Sequence, residues 1–428
     1  MAKPNLALIP STIGTKVYSV LPSDGSGDFA FGRSTVATRV NSLGLIEEVP
    51  SAHNRLNYDL LDGKVYGCPN LLLEPQRTNK ITYSEEIEAP TKWETVILST
   101  VINSIISPDG TLNGTKLIRN TAGTGTGWIR QRPTVVVGEN QVVSIFGKIG
   151  NKSILNITYY SATGGDRFFN YDLSTQSITG NGLSNATYVD SGIEYYGNGW
   201  YRCFVVVDAQ DTSPQVQISV GQNRANSQGD FIYLWGAQVE QGSYPTSYIK
   251  TTGSTTTRLG ETATGSGNAQ TFNDSEGVLM AEISALANDG TDRAITISDG
   301  TSSNRVTFFY SASNNINYNL YSGGSLQSFT AYTVSNIKQT LKFAIKYKLN
   351  DIAFWVNGFE VATDSGGNTP IGLNKLHLAT FNSTAVPLYG KTKQIQYFNT
   401  VLADTQLEQL TSWVSFQEMA NGQLYTIE

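Results

Sequence analysis

The sequence predicts an all-β, multidomain protein whose main parts are two consecutive antiparallel β-sandwiches. Its 428 residues exceed one ordinary sandwich and suit two or three domains of common size. It contains 41 glycines, 22 tyrosines and 17 phenylalanines but only 3 methionines, and 15% of its residues are charged, fewer than long surface helices usually carry. Aromatic residues suit a pleated surface and glycine suits turns, so we expect many short strands joined by short connections.

The first segment, residues 1–75, is rich in turn formers. The run Pro22-Ser-Asp-Gly-Ser-Gly-Asp28 is the densest example. Short strands are predicted at 16–21 and 35–40. Because the segment has little apolar core of its own, we expect it to pack on a neighbouring domain or on a partner, as an attachment segment.

The second segment, residues 76–257, carries strand signals at the spacing of a jelly roll. Both alternating sets of side chains in 200–207 are largely apolar, which predicts a central strand buried on two faces. Trp200 is therefore expected in the core and not in a sugar-binding platform. The predicted strands are 135–137, 142–148, 154–160, 168–173, 200–207, 216–220 and 231–240.

Residues 258–269 are predicted to link the two sandwiches, since the low-complexity run 251–257 and the turn cluster 265–268 are typical of flexible or extended connections. The second sandwich occupies 270–428. Within it, Asn357-Gly358 is a strong hairpin signal, because both turn positions need positive φ.

One short C-terminal helix is predicted over 405–413. Asp404 can cap its N-terminus, and Leu407, Leu410 and Val414 recur at helical spacing. We expect this helix to dock on the last sandwich. The other strands predicted in this segment are 277–283, 293–298, 305–310, 316–321, 339–346, 351–356, 375–379 and 393–398.

Charge and composition argue against several kinds of partner. The formal net charge is −6, and no stripe of Lys and Arg is interleaved with aromatic residues, so no nucleic-acid partner is expected. The apolar runs are too short for membrane insertion. The start, Met1-Ala-Lys-Pro, lacks the apolar stretch of a signal peptide, which a protein released by cell lysis does not need. Cys68 and Cys203 form no metal motif and are expected to be buried free thiols.

The sequence lacks the familiar catalytic signatures. It has no Gly-x-Ser-x-Gly, no His-Glu-x-x-His and no Walker loop, and His53 and His377 are far apart in the chain. We therefore expect no catalytic residue and no enzyme. The alternative is a polysaccharide-cleaving depolymerase, which can work with two carboxylates alone. The carboxylates considered are Glu194, Asp208, Glu240 and Glu282.

Aromatic side chains on a sandwich surface, with polar groups beside them, are candidates for binding sugars. Adjacent Tyr159 and Tyr160 face opposite sides of a strand, so at most one can serve a given groove. Packing in the core or against another subunit is the alternative for every candidate. The candidates are Trp128, Tyr159, Phe168 and Tyr171 in the middle segment and Tyr310, Tyr318 and Tyr321 in the last, where Tyr332 lies nearby.

A structural Ca²⁺ is the single cofactor considered. Asn288-Asp-Gly-Thr-Asp292 and Asp299-Gly300 place oxygen donors in tight turns, which hard cations favour. The candidate ligands are Asp289, Asp292 and Asp299. Ordinary turns are the alternative, since the EF-hand spacing is absent.

Several stretches of the sequence together resemble known families. The first set resembles the amino-terminal region of many phage structural proteins: Ser34-Thr-Val-Ala-Thr-Arg-Val-Asn41, Gly44-Leu-Ile-Glu-Glu48, Asn54-Arg-Leu-Asn-Tyr58 and Leu71-Leu-Leu-Glu-Pro-Gln-Arg-Thr-Asn79. The second resembles a carbohydrate-binding-like jelly roll found in phage tail and fibre proteins: Gly197-Asn-Gly-Trp-Tyr-Arg202, Trp235-Gly-Ala-Gln-Val-Glu240, Ser247-Tyr-Ile-Lys-Thr251 and Thr257-Arg258. The third resembles a laminin-G or concanavalin-like lectin sandwich: Trp355-Val-Asn-Gly358 and Ile395-Gln-Tyr-Phe-Asn-Thr-Val-Leu-Ala-Asp404-Thr-Gln-Leu407.

The resemblance covers most of the chain up to about residue 415 and marks the fold more specifically than the ligand. It implies a structural protein of the phage virion surface: a fibre, a tail component or a capsid decoration. The first segment would contact other virion proteins, and the sandwiches would serve assembly and attachment to host-surface glycan. A homo-oligomer is expected, with a trimer favoured by analogy to fibres. A secreted bacterial adhesin with the same modules is a further alternative.

Overall fold

The structure, a computed structural model, describes residues 3–13, 16–163, 165–179, 188–311, 314–380 and 385–412. The strands up to residue 79 are β1 (Leu6–Ile13), β2 (Lys16–Leu21), β3 (Phe29–Gly32), β4 (Ala37–Val40), β5 (Ile46–Val49), β6 (Leu56–Leu61), β7 (Lys64–Leu73) and β8 (Arg77–Asn79). The strands from 94 to 161 are β9 (Glu94–Val96), β10 (Ser99–Ile105), β11 (Gly114–Ile118), β12 (Thr124–Thr126), β13 (Trp128–Gln131), β14 (Asn140–Lys148) and β15 (Ile154–Ser161).

The middle of the chain continues with β16 (Gly165–Asp172), β17 (Ser177–Thr179), β18 (Tyr188–Gly197), β19 (Trp200–Asp208), β20 (Gln215–Val220), a 3-10 turn (Gln222–Arg224), β21 (Ala225–Ser227) and β22 (Phe231–Gln241). The last part contains β23 (Thr256–Arg258), β24 (Thr262–Thr264), β25 (Glu276–Ala285), β26 (Arg293–Ser298), β27 (Arg305–Ser311), β28 (Asn315–Ser322), β29 (Ser325–Thr333), β30 (Leu341–Lys348), β31 (Ile352–Val356), β32 (Phe359–Asp364), β33 (Lys375–His377), β34 (Gly390–Phe398) and helix α1 (Asp404–Ser412). The predicted all-β class is confirmed.

The jelly roll consists of two six-stranded sheets packed face to face. The inner sheet has the order β10-β11-β22-β14-β19-β18, and the outer sheet has the order β17-β16-β15-β20-β13-β9. Ile145, Ile157 and Val205 belong to the core between them. β19 lies between β14 and β18 and is buried on both faces, as predicted. Trp200 is 1% exposed, which confirms its place in a core.

The last sandwich packs a five-stranded sheet, β29-β28-β27-β26-β33, on an eleven-stranded sheet. The large sheet has the order β24-β3-β2-β1-β34-β25-β30-β31-β32, and β7 also pairs with β34 and with β6. The N-terminal segment therefore supplies strands to the C-terminal sandwich, and its Leu6, Leu8 and Leu71 enter that core.

The residues predicted as a linker, 258–269, are integrated into this structure. β24 pairs with β3, and Ser266 forms a bridge with Leu376. Arg258 and Glu261 are fully buried. The expectation of a flexible connection does not hold here, because these polar residues find partners distant in sequence. The predicted limits of the domains stay predictions.

Several local predictions can be compared with the structure. Asn357 and Gly358 have φ of 48° and 87°, so the hairpin between β31 and β32 is confirmed. Helix α1 is also confirmed, although the Ala403 carbonyl accepts the Leu407 N–H, so Ala403 is the cap and Asp404 the first helical residue. Val414 and the tail after 415 lie outside the described residues.

Two other expectations are wrong. No strand forms at 135–137, where the backbone N–H groups of Val135 and Gly138 bond to loop carbonyls instead of a neighbouring strand. Of the two cysteines, Cys203 is buried as expected but Cys68 is exposed.

A cluster of five buried charges joins distant parts of the chain; we call Arg33, Arg55, Glu74, Arg258 and Glu261 the ionic core. Arg55 Nε donates to Glu261 Oε1 at 2.9 Å, and Arg55 Nη1 donates to Glu74 Oε2 at 2.8 Å. Arg258 Nη1 donates to Glu74 Oε2 at 2.5 Å, and Arg33 Nη1 donates to Glu261 Oε1 at 2.5 Å. The network ties β6 and the end of β7 to residues that follow the jelly roll.

The ionic core keeps the Glu74 carboxylate charged although water is excluded. Burial alone would raise the pKa of Glu74, but the charges of Arg258 and Arg55, together with hydrogen bonds from Ser247, hold that pKa well below its ordinary value. Removing one partner of such a cluster leaves the others buried and uncompensated, which is strongly destabilising.

We expect Glu261→Gln to lower the free energy of unfolding by about 3–5 kcal/mol, because Arg33 would lose its carboxylate partner and Arg55 would keep only Glu74, which it already shares with Arg258. Urea denaturation measures the change. The matched control is Glu276→Gln, which breaks a partly exposed pair with Lys348 at 3.1 Å and should cost less than about 1 kcal/mol. Equal losses in the two variants would contradict the central role of the ionic core.

His377 provides a pH-dependent contribution to stability. It is buried on β33, and its Nδ1 accepts the Gly265 N–H at 3.1 Å. Burial, followed by the charge of Lys375, lowers the pKa of His377 from 6.5 to about 4. The unfolded chain therefore binds the proton more readily in this window. The stabilisation is complete above pH 6.5 and is lost as the pH falls towards 4.

We expect the free energy of unfolding to fall across this window by at most about 1.4 kcal/mol per pH unit through His377. His377→Gln retains an acceptor for the Gly265 N–H but removes the titrating group, so the dependence on pH should become shallower. Urea denaturation at a series of pH values tests this. An unchanged slope in the variant would show that other groups are responsible.

Candidate functional site

Four of the seven predicted aromatic candidates belong to hydrophobic cores. Tyr159, Tyr171, Tyr310 and Tyr318 are at most 2% exposed. The Tyr171 hydroxyl donates to the Phe204 carbonyl at 2.6 Å, inside the jelly roll. Successive residues of a strand face opposite sides, and these four tyrosines occupy positions that face inward. Their prediction as a sugar platform is corrected accordingly.

Trp128 and Phe168 lie together on the outward face of the outer jelly-roll sheet. Their neighbours Ile129 and Phe169 are fully buried in the core, so Trp128 on β13 and Phe168 on β16 point away from it. Both rings are half-buried. Tyr160 also points outward, since its neighbour Tyr159 faces the core.

A row of side chains in register crosses this sheet. Phe168 lies opposite Thr158, and Thr158 lies opposite Gln217. Gln217 lies opposite Arg130, which in turn lies opposite Glu94. The antiparallel pairing therefore brings residues from five strands into one line.

Hydrogen bonds connect the polar members of this row. Arg130 Nε donates to Glu94 Oε2 at 2.8 Å, and Arg130 Nη1 donates to Gln215 Oε1. Gln217 Nε2 donates to the same Gln215 oxygen at 2.8 Å, and Arg224 Nη1 donates to Gln217 Oε1 at 2.5 Å. Arg224 reaches the sheet from the 3-10 turn that follows β20.

Each end of the network includes an aromatic ring in contact with an arginine. The Arg130 guanidinium carbon is 4.3 Å from the Trp128 ring centroid, and that of Arg224 is 4.6 Å from the Phe168 centroid. Such cation–π contacts restrain both partners. We call Glu94, Trp128, Arg130, Phe168, Gln215, Gln217 and Arg224 the outer face.

The outer face is built for hydrogen bonding. Partial burial would raise the pKa of Glu94, but hydrogen bonds and charge from Arg130 and Arg132 lower it, so Glu94 stays an ionised acceptor. Guanidinium and amide groups supply donors, and the amide and carboxylate oxygens supply acceptors. This set, between two aromatic rings, suits a flat ligand rich in hydroxyl groups.

Tyr321, the remaining aromatic candidate, lies in the other sandwich. It is opposite Arg305 in the pairing of β27 with β28, and the Arg305 guanidinium carbon is 3.7 Å from its ring centroid. The structure thus places Trp128 and Phe168 on the same sheet face, with β15 and β20 between their strands, and leaves Tyr321 separate from them.

The three predicted metal ligands have different surroundings. Asp289 accepts from Arg293 Nη2 at 2.8 Å and from Ser243 Oγ at 2.7 Å, so both its oxygens have protein partners. Asp299 accepts from the Thr301 N–H at 2.7 Å and from Asn304 Nδ2 at 2.8 Å. Asp292 is exposed. Within the described part of the chain, no group of three or more His, Cys, Asp or Glu side chains could hold a metal ion. A bound Ca²⁺ stays a prediction.

Residues that the sequence reasoning missed make up much of the outer face. Gln215 and Gln217 alternate with Val216 and Ile218, a pattern that marks an amphipathic strand. This signal comes from glutamines, whereas the predicted sugar-binding candidates are all aromatic. No local pattern indicated Arg224, because its position depends on the turn after β20.

Comparisons with known proteins give little sequence information. No protein-family model matches the chain, and no curated protein matches it significantly. Among solved structures, the chain is similar to the CBM40 of the Ruminococcus gnavus IT-sialidase, with 15% identity and a TM-score of 0.30, over 35% of this chain and 93% of that one.

Two further similarities have comparable values. Trypanosoma rangeli sialidase matches at 10% identity and a TM-score of 0.29, over 72% of this chain and 61% of that one. Domains LG4-5 of the mouse laminin alpha1 chain match at 11% identity and a TM-score of 0.22, over 65% of this chain and 88% of that one. These values are low, so function has to be inferred from the side chains of the site. In the part of the chain that the structure describes, no helix is long and apolar enough to cross a bilayer.

Proposed function

We propose that this protein binds a host-surface glycan through the outer face and catalyses no reaction. The observation that supports the proposal is the continuous network from Glu94 to Arg224, with Trp128 and Phe168 at its ends. Sugars present hydroxyl groups around an apolar ring surface. A platform that combines planar donors and acceptors with aromatic rings is complementary to both features.

Preorganisation is the physical advantage of this arrangement. Free arginine and glutamine side chains lose much rotamer freedom when they bind a ligand. On the outer face, Arg130, Gln215, Gln217 and Arg224 already restrain one another through hydrogen bonds. Part of the entropic cost of ordering them is therefore met during folding, before a glycan binds.

We further propose that the protein belongs to the surface of a phage virion, as a fibre, tail or capsid-decoration protein. The support is the resemblance of its sequence to phage structural proteins. Since most strands of the N-terminal segment pair within the last sandwich, contact with other virion proteins would use exposed side chains of that segment. Leu43 and Tyr66, which are 79% and 62% exposed, are available for it. A trimer is the proposed assembly.

The alternative function is a glycan-cleaving depolymerase. It would need two carboxylates facing one groove, one of them protonated. On the outer face, Glu94 is bonded to Arg130 and Arg132, which favours its ionised form. Of the other carboxylates considered, Glu240 is fully buried and accepts from Gln238 and Thr246. These contacts favour binding over cleavage.

We expect Trp128→Ala to weaken binding of the purified protein to host polysaccharide at least tenfold, about 1.4 kcal/mol or more. Surface plasmon resonance with immobilised polysaccharide measures this. The control is Tyr66→Ala, which removes an exposed aromatic ring outside the jelly roll and should bind like the unmodified protein. Equal binding by both variants would show that the outer face is not the polysaccharide-binding site. Release of reducing ends during the same incubation would favour the depolymerase.

Mass spectrometry of gradient-purified particles tests the virion assignment separately. We expect the chain at a fixed stoichiometry per particle, and sedimentation of the purified protein should give the mass of a trimer. If the chain is found in infected cells but is missing from particles, the virion role is wrong, whereas the glycan-binding proposal stands on its own measurement.

A further inference from the structure

A cavity lies on the side of the jelly roll opposite the outer face, between the inner sheet, the N-terminal segment and the last sandwich. Its volume is about 770 Å³, within the range of roughly 300–1,000 Å³ typical of small-molecule sites. We call it the junction cleft. Its lining includes Tyr58, Glu194, Tyr196, Arg202, Tyr244 and Lys338.

Arg202 is the unusual group in this cleft. Its neighbour Cys203 faces the jelly-roll core, so Arg202 on β19 points towards the cleft. The residue is 3% exposed, and its Nε has no hydrogen-bond partner. Arg202 Nη2 donates to the neutral Ser144 Oγ at 3.1 Å. No ion pair within 4.0 Å joins Arg202 to a carboxylate among the residues that the structure describes. By contrast, Arg55 and Arg258 both pair with Glu74.

Burial would lower the pKa of Arg202, but Tyr196 and the charges of Glu194 and Glu240 raise it, so the guanidinium stays charged. A buried N–H that lacks an acceptor is nevertheless energetically costly. The cost falls when an anionic group of a ligand enters the adjoining cavity and accepts from the unused N–H. Tyr196 lies beside Arg202 and interacts with it, and burial raises the pKa of Tyr196 to about 12, so its hydroxyl stays protonated. Arg202 and Tyr196 together offer two donors to one anionic group.

Two other cations that line the cleft, Arg39 and Lys391, are paired within the protein. Lys391 Nζ is 2.6 Å from Asp59 Oδ1, and Arg39 Nε donates to Glu47 Oε1 at 2.7 Å. Glu194 is exposed and lies opposite Arg202 on β18. The Glu194 carboxylate partly offsets the charge of Arg202 and repels further negative charge, so a ligand with a single carboxylate fits the cleft better than a polyanion.

We infer that the junction cleft is a second ligand site and that it binds the carboxylate of an acidic saccharide. The carboxylate accepts from Arg202 Nε and the Tyr196 hydroxyl, and the sugar ring lies among the aromatic side chains of Tyr58 and Tyr244. The volume of the cleft is far larger than an inorganic anion needs, and its aromatic lining suits a sugar ring. This site is independent of the outer face, which lies on the other sheet.

Saturation-transfer NMR and calorimetry of the full chain test the inference. The probes are a disaccharide that contains glucuronic acid, the same disaccharide with the carboxylate reduced to an alcohol, and inorganic sulfate. We expect the acid to bind at least tenfold more tightly than either comparison compound, and Arg202→Gln to abolish that preference. Trp128→Ala, which alters the outer face, should retain it.

Each other result would overturn the inference. Equal affinity for the acid and the alcohol would show that Arg202 does not recognise a carboxylate, and equal affinity for sulfate would show that no sugar is recognised. If circular dichroism shows that Arg202→Gln does not fold, Tyr196→Phe replaces it, with an expected three- to tenfold loss for the acid alone. Unchanged acid binding in the folded variant would exclude the site. Loss of binding in Trp128→Ala, with Arg202→Gln unaffected, would place the ligand on the outer face instead.

Discussion

The buried ionic core is the constraint on which the remaining architecture depends. Three arginines and two glutamates are removed from water, and their full compensation joins parts of the chain that are distant in sequence: Arg55 and Glu261 are 206 positions apart, and Arg33 and Glu261 are 228 apart. Arg55 and Glu74 can pair within the N-terminal segment, but Arg33, Arg258 and Glu261 gain their partners only when that segment meets the residues after the jelly roll. Non-specific collapse cannot provide this geometry, since a misplaced partner leaves a bare buried charge.

This requirement explains why the ends of the chain share one sheet. Once Glu74, which directly follows β7, is fixed beside Arg55 and Arg258, β7 lies along β34, and β1 pairs with the same strand further along. The jelly roll then enters as an insertion between two parts of one sandwich. The junction cleft follows from that geometry, because the inner sheet is held against the N-terminal segment but does not fill the space between them.

Elements governed by local rules were predictable from the sequence, and long-range ones were not. Asn357-Gly358 specified its hairpin, and Leu407 and Leu410 specified the buried side of α1, because turn conformation and helical period act over a few residues. Aromatic composition could not distinguish Phe168 from Tyr171, because both lie on β16. Their roles differ because Tyr171 faces the core and Phe168 faces outward. Arg55, Glu74 and Arg258 lie within the motifs that resemble known families, whereas Arg33 and Glu261 lie outside them, and nothing local indicated how these charges pair.

The two faces of the jelly roll differ in how their charges are satisfied, and this difference bears on binding. On the outer face, Arg130 donates to Glu94 and Arg224 donates to Gln217, so both guanidinium groups have acceptors within the protein. This surface therefore suits neutral ligands that are rich in hydroxyl groups. In the junction cleft, Arg202 retains an unused donor. A site whose donors are all used selects by shape and by exchange of hydrogen bonds, whereas one with an unused guanidinium N–H favours a ligand that brings a charged acceptor. One sandwich can thus present two kinds of recognition on its opposite sheets.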